Sequence, residues 1–428
     1  MPQDIEIVAS LVRCTALVLL ASAAAAQCSV DEDCGLLGTC AAGACACEPG
    51  WTGPTCASLD LLPAPPDAGL RQANSSNWCL TLLRDEADPD LVHAYSADFG
   101  GCTNGLNIWL TGSRVIHATG RGGSSGPAVG PFAPAWGDGD AEVAVAAEAH
   151  NPTAIRAPDG TFLLMDCAET AHSKQLLGLN HPLTRLPLPR AAYNGPDAGC
   201  NMQANYSTCT GKSMCPPKMP SGGGLGTFVY HFSTSARGPW EPVNVSMDYP
   251  CFSENLTPAP FFHPNGTMFI VFHCDTGGSH KMGDLVMVRS DSWRGPFSRV
   301  NDGIWAVGNV APHPEDPTLF IHTNSFTGDI SWHVVMHNTP VGIHLFSRDG
   351  LTFTLQQALS AANEPQPPFV YPALVQQTDG TNFTADRRER PWMMMKRGTA
   401  SVPEVLVTSM DARAAFPYVF SHAQAVRS

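Results

Sequence analysis

Three short segments of the chain contain the residues whose types and spacing could do acid–base chemistry. In each segment two polar side chains come directly before a proline: His150 and Asn151 before Pro152, Glu315 and Asp316 before Pro317, and Glu389 and Arg390 before Pro391. A carboxylate beside an arginine stays ionised, whereas a less paired carboxylic acid in an apolar site can keep its proton. Such a difference in protonation between two carboxyl groups is what the roles of acid and base require. We therefore take Glu315, Asp316 and Glu389 as candidate catalytic residues.

The same prolines open a repeated hairpin that must position these residues. The segment "NPTAIRAPDGTFLLMD" from Asn151 is echoed by segments from Thr257, Asp316 and Arg390, each with an X-Pro pair, an apolar strand, a turn and a second strand. A copy from Trp78 lacks the proline but keeps strand, turn and strand. Asp-Gly and Asn-Gly turns between apolar runs are typical of β-hairpins.

A second sequence motif follows the hairpin in most copies, after a third strand. It occurs as "VGPFAP" at 129–134, "RGPWEP" at 237–242, "RGPFSR" at 294–299 and the variant "RDGLTFT" at 348–354. One repeat is therefore four strands. Self-similar units of four antiparallel strands, each unable to cover its own apolar faces, predict a β-propeller. We count five blades, which predicts an all-β, five-bladed β-propeller over residues 74–428 with an insertion near 170–222.

In a propeller the first strand of each blade lines the central channel, so the residues before each proline should meet at one face of it. The expected counterparts of Asn151 are Trp78 in blade one and Thr257 in blade three. Concave channels with a few converging polar groups favour small ligands. The candidate binding residues are Trp78, Arg114, His150, Asn151, Arg388 and Arg390. The structural alternative is a salt-bridge ring that only ties the blades together, with Trp78 and His150 as packing residues.

Composition and charge narrow the classes of function. The 428 residues have a formal net charge of −14, and only 14% of them are charged, with no basic run. This is unlike the positive footprint of a nucleic-acid-binding protein, so nucleic acid is excluded as a partner. The 39 Gly and 37 Pro residues favour many short strands joined by turns.

The N-terminal segment and the cysteines indicate export. Residues 1–26 contain Arg13, the apolar run "CTALVLLASAAAA" and small residues, which is the layout of a signal peptide. The run is shorter than the ~20 residues of a membrane span, and no later stretch is apolar enough, so no transmembrane span is predicted. Six cysteines between Cys28 and Cys56 and eight between Cys79 and Cys274 suit disulfides formed in an oxidising compartment. We expect a secreted protein, and the Asn-X-Ser/Thr triplets are compatible with glycosylation.

The six clustered cysteines predict a small module. The segment "CSVDEDCGLLGTCAAGACACEPGWTGPTC" ends in C-x-C-x-x-G-[aromatic]-x4-C and resembles an epidermal-growth-factor-like (EGF-like) module over residues 27–57. About thirty residues bury too little apolar surface to fold without disulfides. The resemblance implies the pairs Cys28–Cys40, Cys34–Cys45 and Cys47–Cys56, and export disfavours the alternative of a zinc site.

The same resemblance suggests a spacer or adhesion role for the module, with a cell-surface or matrix protein as partner. The calcium-binding variety has acidic residues before the first cysteine, whereas Ala26 and Gln27 precede Cys28, so no calcium is expected there. Residues 58–73 are typical of a Pro-rich linker.

The large domain resembles the five-bladed propellers of glycoside hydrolase family 43 and its relatives, sugar-cleaving enzymes of the arabinofuranosidase and xylosidase type. The resemblance covers about residues 74–428 and rests on the X-Pro strand starts, the "APDGTFLL" turn and the "GPF" ends. It implies an Asp base at the start of blade one, a second Asp in blade three and a Glu acid in a Glu-X-Pro motif of blade four. Glu315 matches the acid, but Trp78 and Thr257 stand at the aspartate positions, so the family's carboxylate set is broken in this sequence.

Two functions stay open on this evidence. Inverting hydrolysis needs an acid and a base separated by roughly 6.5–9.5 Å. Glu315 or Asp316 facing Glu389 across the funnel could rebuild such a pair, acting on a poly- or oligosaccharide. The alternative is a non-catalytic carbohydrate-binding or adhesion propeller in which the carboxylates form ion pairs between blades.

No cofactor is predicted, and no metal site is assigned. His333 and His337 in "HVVMHN" alternate as in a strand, which does not fit the helical spacing of a zinc site. Relatives hold a metal on the channel axis with a His, so the resemblance leaves room for a structural calcium in the propeller channel.

Overall fold

The computed structural model describes residues 28–72, 75–99, 113–122, 126–134, 143–145, 149–166, 226–248, 257–274, 284–300, 305–306, 310, 314–399 and 401–428. These residues contain strands and one 3₁₀ helix, Asp31–Cys34, and no α-helix. None of the described helical structure is long and apolar enough to cross a membrane. The predicted signal peptide at 1–26 and insertion at 170–222 lie outside the described residues.

The strands form a small N-terminal module and five sheets. The module contains β1 (Gly38–Ala41), β2 (Ala44–Cys47), β3 (Trp51–Thr52) and β4 (Ser58–Leu59). Blade one contains β5 (Asn77–Arg84), β6 (Leu91–Asp98), β7 (Arg114–Arg121) and β8 (Ala133–Pro134), with β9 (Val143–Val145) also paired to β7. Blade two contains β10 (Thr153–Arg156), β11 (Phe162–Met165), β12 (Gly226–Ser233) and β13 (Glu241–Met247).

The remaining blades follow the same order. Blade three contains β14 (Ala259–Phe262), β15 (Met268–Cys274), β16 (Asp284–Ser290) and β17 (Ser298–Arg299), with β18 (Trp305–Ala306) also paired to β16. Blade four contains β19 (Glu315–Thr323), β20 (Ile330–Asn338), β21 (Val341–Ser347) and β22 (Thr354–Leu355). A hairpin of β23 (Leu374–Gln376) and β24 (Asn382–Thr384) precedes blade five, which contains β25 (Arg387–Met395), β26 (Pro403–Asp411) and β27 (Phe420–Ala425).

The inner strands close into a ring, which confirms the five-bladed β-propeller. Each of β5, β10, β14, β19 and β25 contacts the next, and β25 contacts β5. Successive residues of a strand face opposite sides of its sheet, so each inner strand feeds two layers between blades. In β19, Leu319 packs on blade three with Val271, whereas Phe320 packs on blade five with Met393. The apolar core therefore lies in the layers between adjacent blades.

The Pro-rich segment that we predicted as a linker closes the ring at blade five. Leu62 N donates to Ala425 O and Leu70 N donates to Ser421 O, both at 2.9 Å, so the segment lies along β27. Ala64 N donates to Gln376 O at 2.9 Å. Proline lacks the N–H of a strand ladder and is tolerated at sheet edges, which is where this segment lies. Residues 59–72 are thus part of the propeller wall and do not form a free linker.

The EGF-like module is confirmed, with the three disulfides that the resemblance implies: Cys28–Cys40, Cys34–Cys45 and Cys47–Cys56. The module packs into the layer between blades four and five. Trp51 stacks on Phe320 and His344, with ring centroids 6.3 and 5.9 Å apart. Leu37 and Leu59 of the module belong to the same buried cluster as Phe320. Of the two expected roles, spacer and adhesion, the first does not fit this packing, because the module shares its core with the propeller.

Candidate active site

A shared backbone feature marks the polar end of the channel. Asn151, Asp316 and Arg390 have φ values of 53°, 57° and 54°, and Cys79 has a φ of 61°. These are left-handed conformations, which cost of order 1–3 kcal/mol for residues other than glycine and cluster at functional sites. In three of the blades a β-bulge accompanies them, between Trp78 and Thr81, Glu315 and Thr318, and Glu389 and Trp392.

The positions of the bulges show that the expected alignment of blade one with the other blades is wrong by one residue. Trp78 stands in register with Glu315 and Glu389, so Cys79 and not Trp78 is the counterpart of Asp316. The sequence could not show this because blade one has no proline to mark the position. Trp78 is only 2% exposed, so it offers no stacking face for a sugar ring. Neither Cys79 nor Thr257, the counterpart in blade three, supplies a carboxylate.

Asp316 is buried between two cationic side chains. Arg390 Nη1 donates to its Oδ1 at 2.9 Å, and His337 Nδ1 lies 3.0 Å from its Oδ2. Burial opposes the charge on Asp316, but Arg390 and His337 outweigh burial and hold the pKa of Asp316 well below its usual range. Burial likewise opposes the charge on His337, but Asp316 and Glu389 raise the pKa of His337 to about 9. Asp316 is therefore a fixed anion beside two fixed cations.

Glu389 is held by a second set of donors. Arg387 Nε and Nη2 donate to its two carboxylate oxygens at 2.7 and 3.1 Å. Thr339 Oγ1, from the turn between β20 and β21, donates to Glu389 Oε1 at 2.8 Å. Glu389 is 5% exposed, whereas the Arg387 side chain is 47% exposed at the rim. The bidentate pair orients the carboxylate of blade five next to blade four.

The environment of Glu315 favours the protonated carboxyl group, in contrast to that of Asp316. It is partly buried and pairs across β19 and β20 with His337, and one of its carboxylate oxygens lies within 4.8 Å of ligand atoms of Asp316 and His337. Burial is the largest cause that raises its pKa, and the charges of Asp316 and Glu389 add to it against the opposing charge of His337. The pKa of Glu315 rises to about 7. This carboxyl group can keep a proton near neutral pH, as a general acid must.

The structure thus places Glu315, Asp316, Glu389 and Arg390 near one another. It adds three residues that the sequence analysis did not assign: His337, Arg387 and Thr339. The alternation in "HVVMHN" was the available signal for His337, since it puts that side chain on the same face of β20 as His333 and Val335. Only the pairing of β19 with β20 shows that His337 is opposite Glu315.

Two of the other predicted binding residues, His150 and Asn151, are buried close to Arg390. His150 is 5% exposed with its ring centroid 5.6 Å from that of Phe99, and burial and the charge of Arg390 lower its pKa to about 3. The backbone oxygen of Asn151 accepts a hydrogen bond from Arg390 Nη2 at 3.3 Å. Both residues are almost fully buried, so neither presents an exposed side chain to a ligand in this structure.

Arg114 and Arg388 occupy different environments. Arg114 binds Asp98 through Nε and Nη2, each at 2.9 Å, and stays partly exposed. Arg388 is fully buried, and it donates to Thr408 Oγ1, Pro372 O and Gln424 Oε1. Because its donors are used within the protein, Arg388 is a structural residue and we remove it from the candidate binding set.

Below the polar cluster lies a cavity of about 150 Å³ that is lined by the inner strands of all five blades. Its wall is mainly apolar, with Pro152, Pro258, Pro317 and Pro391 among the lining residues, and Arg390 also lines it. The expected meeting of the X-Pro positions at one channel is therefore seen in the structure.

The residues at this position do not fit a calcium ion. Calcium takes six to eight oxygen ligands, mostly from carboxylates, carbonyls and water. Glu315, Asp316 and His337 place ligand atoms within 4.8 Å of one another, but both oxygens of Asp316 already face Arg390 and His337. A protonated histidine cannot act as a metal ligand. We therefore assign no reaction step to a metal.

Comparisons with known proteins give matches for both parts of the chain. No curated protein sequence matches the chain. Residues 28–58 match the family model of the Teneurin-like EGF domain.

Solved structures with similar architecture cover most of the chain. One is a family 117 glycoside hydrolase from the marine bacterium Zobellia galactanivorans, with 8% identity, 86% of this chain and 89% of that chain covered, and a TM-score of 0.44. Another is the catalytic domain of a GH62 α-L-arabinofuranosidase from Coprinopsis cinerea, with 8% identity, 86% and 97% covered, and a TM-score of 0.44. A third is a GH43 enzyme from Xanthomonas citri complexed with xylose, with 9% identity, 85% and 89% covered, and a TM-score of 0.39. The chain is an EGF-like module joined to a five-bladed propeller whose structural neighbours are glycoside hydrolases.

Proposed function

We propose that the chain is a secreted glycoside-hydrolase-like protein that acts on glycosidic bonds of poly- or oligosaccharides, with Glu315 as the general acid. The observation that supports this most is the raised pKa of Glu315, about 7, within a cluster where the neighbouring Asp316 is held ionised. Environments that separate the protonation of neighbouring carboxyl groups are the basis of acid and base assignments.

In this proposal Glu315 and Glu389 share the work of an inverting hydrolysis. Glu315 donates its proton to the glycosidic oxygen as the bond to the anomeric carbon breaks. Glu389, oriented by Arg387 and Thr339, accepts a proton from the water that attacks the other face of the sugar. Asp316 stays ionised between Arg390 and His337, which favours the protonated form of Glu315 beside it.

The second candidate is a propeller that binds carbohydrate without cutting it. It is favoured by the residues at the counterparts of Asp316 in blades one and three, Cys79 and Thr257, which leave the implied carboxylate set incomplete. In that case the pair of Asp316 with Arg390 and the hydrogen bond from Thr339 to Glu389 only tie blades four and five together.

The test is hydrolysis of a panel of aryl pentosides and arabino- and xylo-oligosaccharides by the secreted protein and by E315Q. We expect activity that falls at least ~100-fold in E315Q, since general acid catalysis contributes factors of that size. The matched control is E241Q, because Glu241 is an exposed glutamate on the outer strand of blade two. Absence of turnover, together with sugar-dependent thermal stabilisation of both proteins, would support the binding function. Equal activity in E315Q would remove Glu315 from the mechanism.

Export and glycosylation belong to the same proposal. The three disulfides of the module suit an oxidising compartment. Three Asn-X-Ser/Thr acceptors among the described residues, Asn244, Asn265 and Asn382, are exposed. Expression in a secreting eukaryotic host should place the protein in the medium with a mass that decreases after treatment with an N-glycosidase. Retention inside the cell without glycans would contradict this.

A further inference from the structure

The side chain of Arg390 joins three blades at the polar end of the channel. It originates on the inner strand of blade five, donates to Asp316 Oδ1 of blade four at 2.9 Å and donates to Asn151 O of blade two at 3.3 Å. Blades two and four are not neighbours in the ring, so the guanidinium lies over the channel and not in a layer between adjacent blades. The residue is 8% exposed and lines the central cavity.

The acceptors of this guanidinium are those that a hard metal ion would also use. Asp316 contributes a carboxylate oxygen and Asn151 a backbone carbonyl oxygen, both of which are preferred calcium ligands. The guanidinium presents a fixed positive charge and several N–H donors in a planar fork. It therefore meets the same anionic and carbonyl groups with no need for an ion from solution.

We propose that the Arg390 guanidinium is the built-in cation of this channel, which holds the ends of blades two, four and five together where a bound metal ion would otherwise be needed. The arginine acts as a positioning residue through Asp316: it keeps that carboxylate ionised and in place beside Glu315. It follows that the folded protein does not depend on divalent cations, and that loss of the guanidinium creates such a dependence.

The chain offers a matched control on the same strand. Arg388 lies two residues before Arg390 and is also buried, but its acceptors, Thr408 Oγ1, Pro372 O and Gln424 Oε1, are all uncharged. Removing either arginine should lower stability. Only the removal of Arg390 takes a cation from a buried carboxylate, and it leaves Asp316 with His337 alone.

The experiment is thermal unfolding of the wild-type protein, R390Q, R390K and R388Q, each in EDTA and in millimolar CaCl₂. We expect the wild-type midpoint to be the same in both solutions. R390Q should unfold at a lower temperature in EDTA, and calcium should raise its midpoint by several degrees, because the guanidinium no longer occupies Asp316 Oδ1 and Asn151 O. R390K keeps the charge, so it should respond to calcium less than R390Q. R388Q should be destabilised without any response to calcium.

Two results would overturn the proposal: a wild-type midpoint that rises with calcium or falls with EDTA, or an R390Q midpoint that responds to calcium no more than that of R388Q. If R390Q fails to fold in EDTA, its folding in calcium alone supports the proposal, and failure in both solutions counts against it. The measurement uses stability, so it is independent of whether the proposed hydrolysis is found.

Discussion

Glu315 and Asp316 are adjacent in the chain, but the fold drives their protonation in opposite directions. Asp316 adopts a left-handed backbone at a β-bulge and meets Arg390 and His337, which hold it ionised. Glu315, one residue earlier, stays partly exposed and faces the charge of Asp316 and Glu389. The bulge thus converts a pair of similar residues into a fixed anion and a proton donor.

His337 provides a test of this arrangement at the scale of single residues. Its positive charge lowers the pKa of Glu315, so its removal in H337Q should raise that pKa above about 7. Because the acid form of Glu315 is the active one, the alkaline limb of the kcat/KM profile should move to higher pH. A carboxyl titration by NMR measures the same shift without a substrate.

The control for H337Q is H333Q, on the same face of β20 but opposite Phe320 instead of Glu315, where no shift of the alkaline limb is expected. An alkaline limb that stays in place or moves to lower pH in H337Q would contradict the assigned electrostatics.

At the scale of strands, proline determined what could be predicted from the sequence. X-Pro pairs marked the starts of β10, β14, β19 and β25 closely enough to group Glu315, Asp316, Glu389 and Arg390 in one site. In blade one, which lacks the proline, the alignment was wrong by one residue because a bulge adds a residue that the alternation of side chains does not reveal. The pairing of His337 with Glu315 and the contact of Thr339 with Glu389 depend on strand register and turn position, which no local pattern reveals.

The contact between the module and blade four contains a row of neutral side chains joined by hydrogen bonds. Ser331 Oγ lies 2.7 Å from His333 Nε2, and His333 Nδ1 lies 2.9 Å from His344 Nε2. His344 Nδ1 lies 2.6 Å from Gln356 Oε1, and Gln356 Nε2 donates to Thr55 O of the module at 2.7 Å. Every donor meets an acceptor only when both histidines are neutral.

This row of hydrogen bonds predicts that acid weakens the contact between the module and blade four. Burial lowers the pKa of His344 to about 4 and that of His333 well below its usual range. The unfolded chain takes up protons below pH ~6.5 and the folded chain does not, so stability falls as the pH decreases from ~6.5. We expect a loss of up to about 2 kcal/mol per histidine between pH 6.5 and 5.

Urea unfolding at pH 7 and pH 5 measures this loss, and H344Q should reduce the difference between the two midpoints. His322 and Glu48, 3.8 Å apart beside this row of hydrogen bonds, are unchanged in that variant. The control is H263Q, from a partly exposed ring that stacks on Trp332 away from the module. If the midpoints at pH 7 and pH 5 differ as much in H344Q as in the wild type, this row of hydrogen bonds is not the acid-sensitive element.

At the scale of the whole molecule, the N-terminal part completes what the C-terminal blade begins. Blade five has three strands of its own, and residues 59–72 lie along β27 as its outer edge. The module at one end of this segment packs into the layer between blades four and five, where Phe320 and Met393 meet Trp51. Both N-terminal elements therefore support the two blades that contain Glu315 and Glu389.

The prolines of this segment occupy positions where no N–H is needed, and Ala64 lies between them. Ala64 N donates to Gln376 O, and its own O accepts from Thr378 N at 3.0 Å. A64P removes the donor and leaves Gln376 O without this partner, which should cost about 1–3 kcal/mol. P63A alters the neighbouring residue without removing any hydrogen bond, so its effect should be within about 1 kcal/mol. Chemical unfolding, monitored by signals from the propeller and from the module, tests this prediction. Because the segment closes the ring, A64P should lower the single unfolding midpoint of the whole protein. Loss of only the module's signal would show that the propeller closes without this segment.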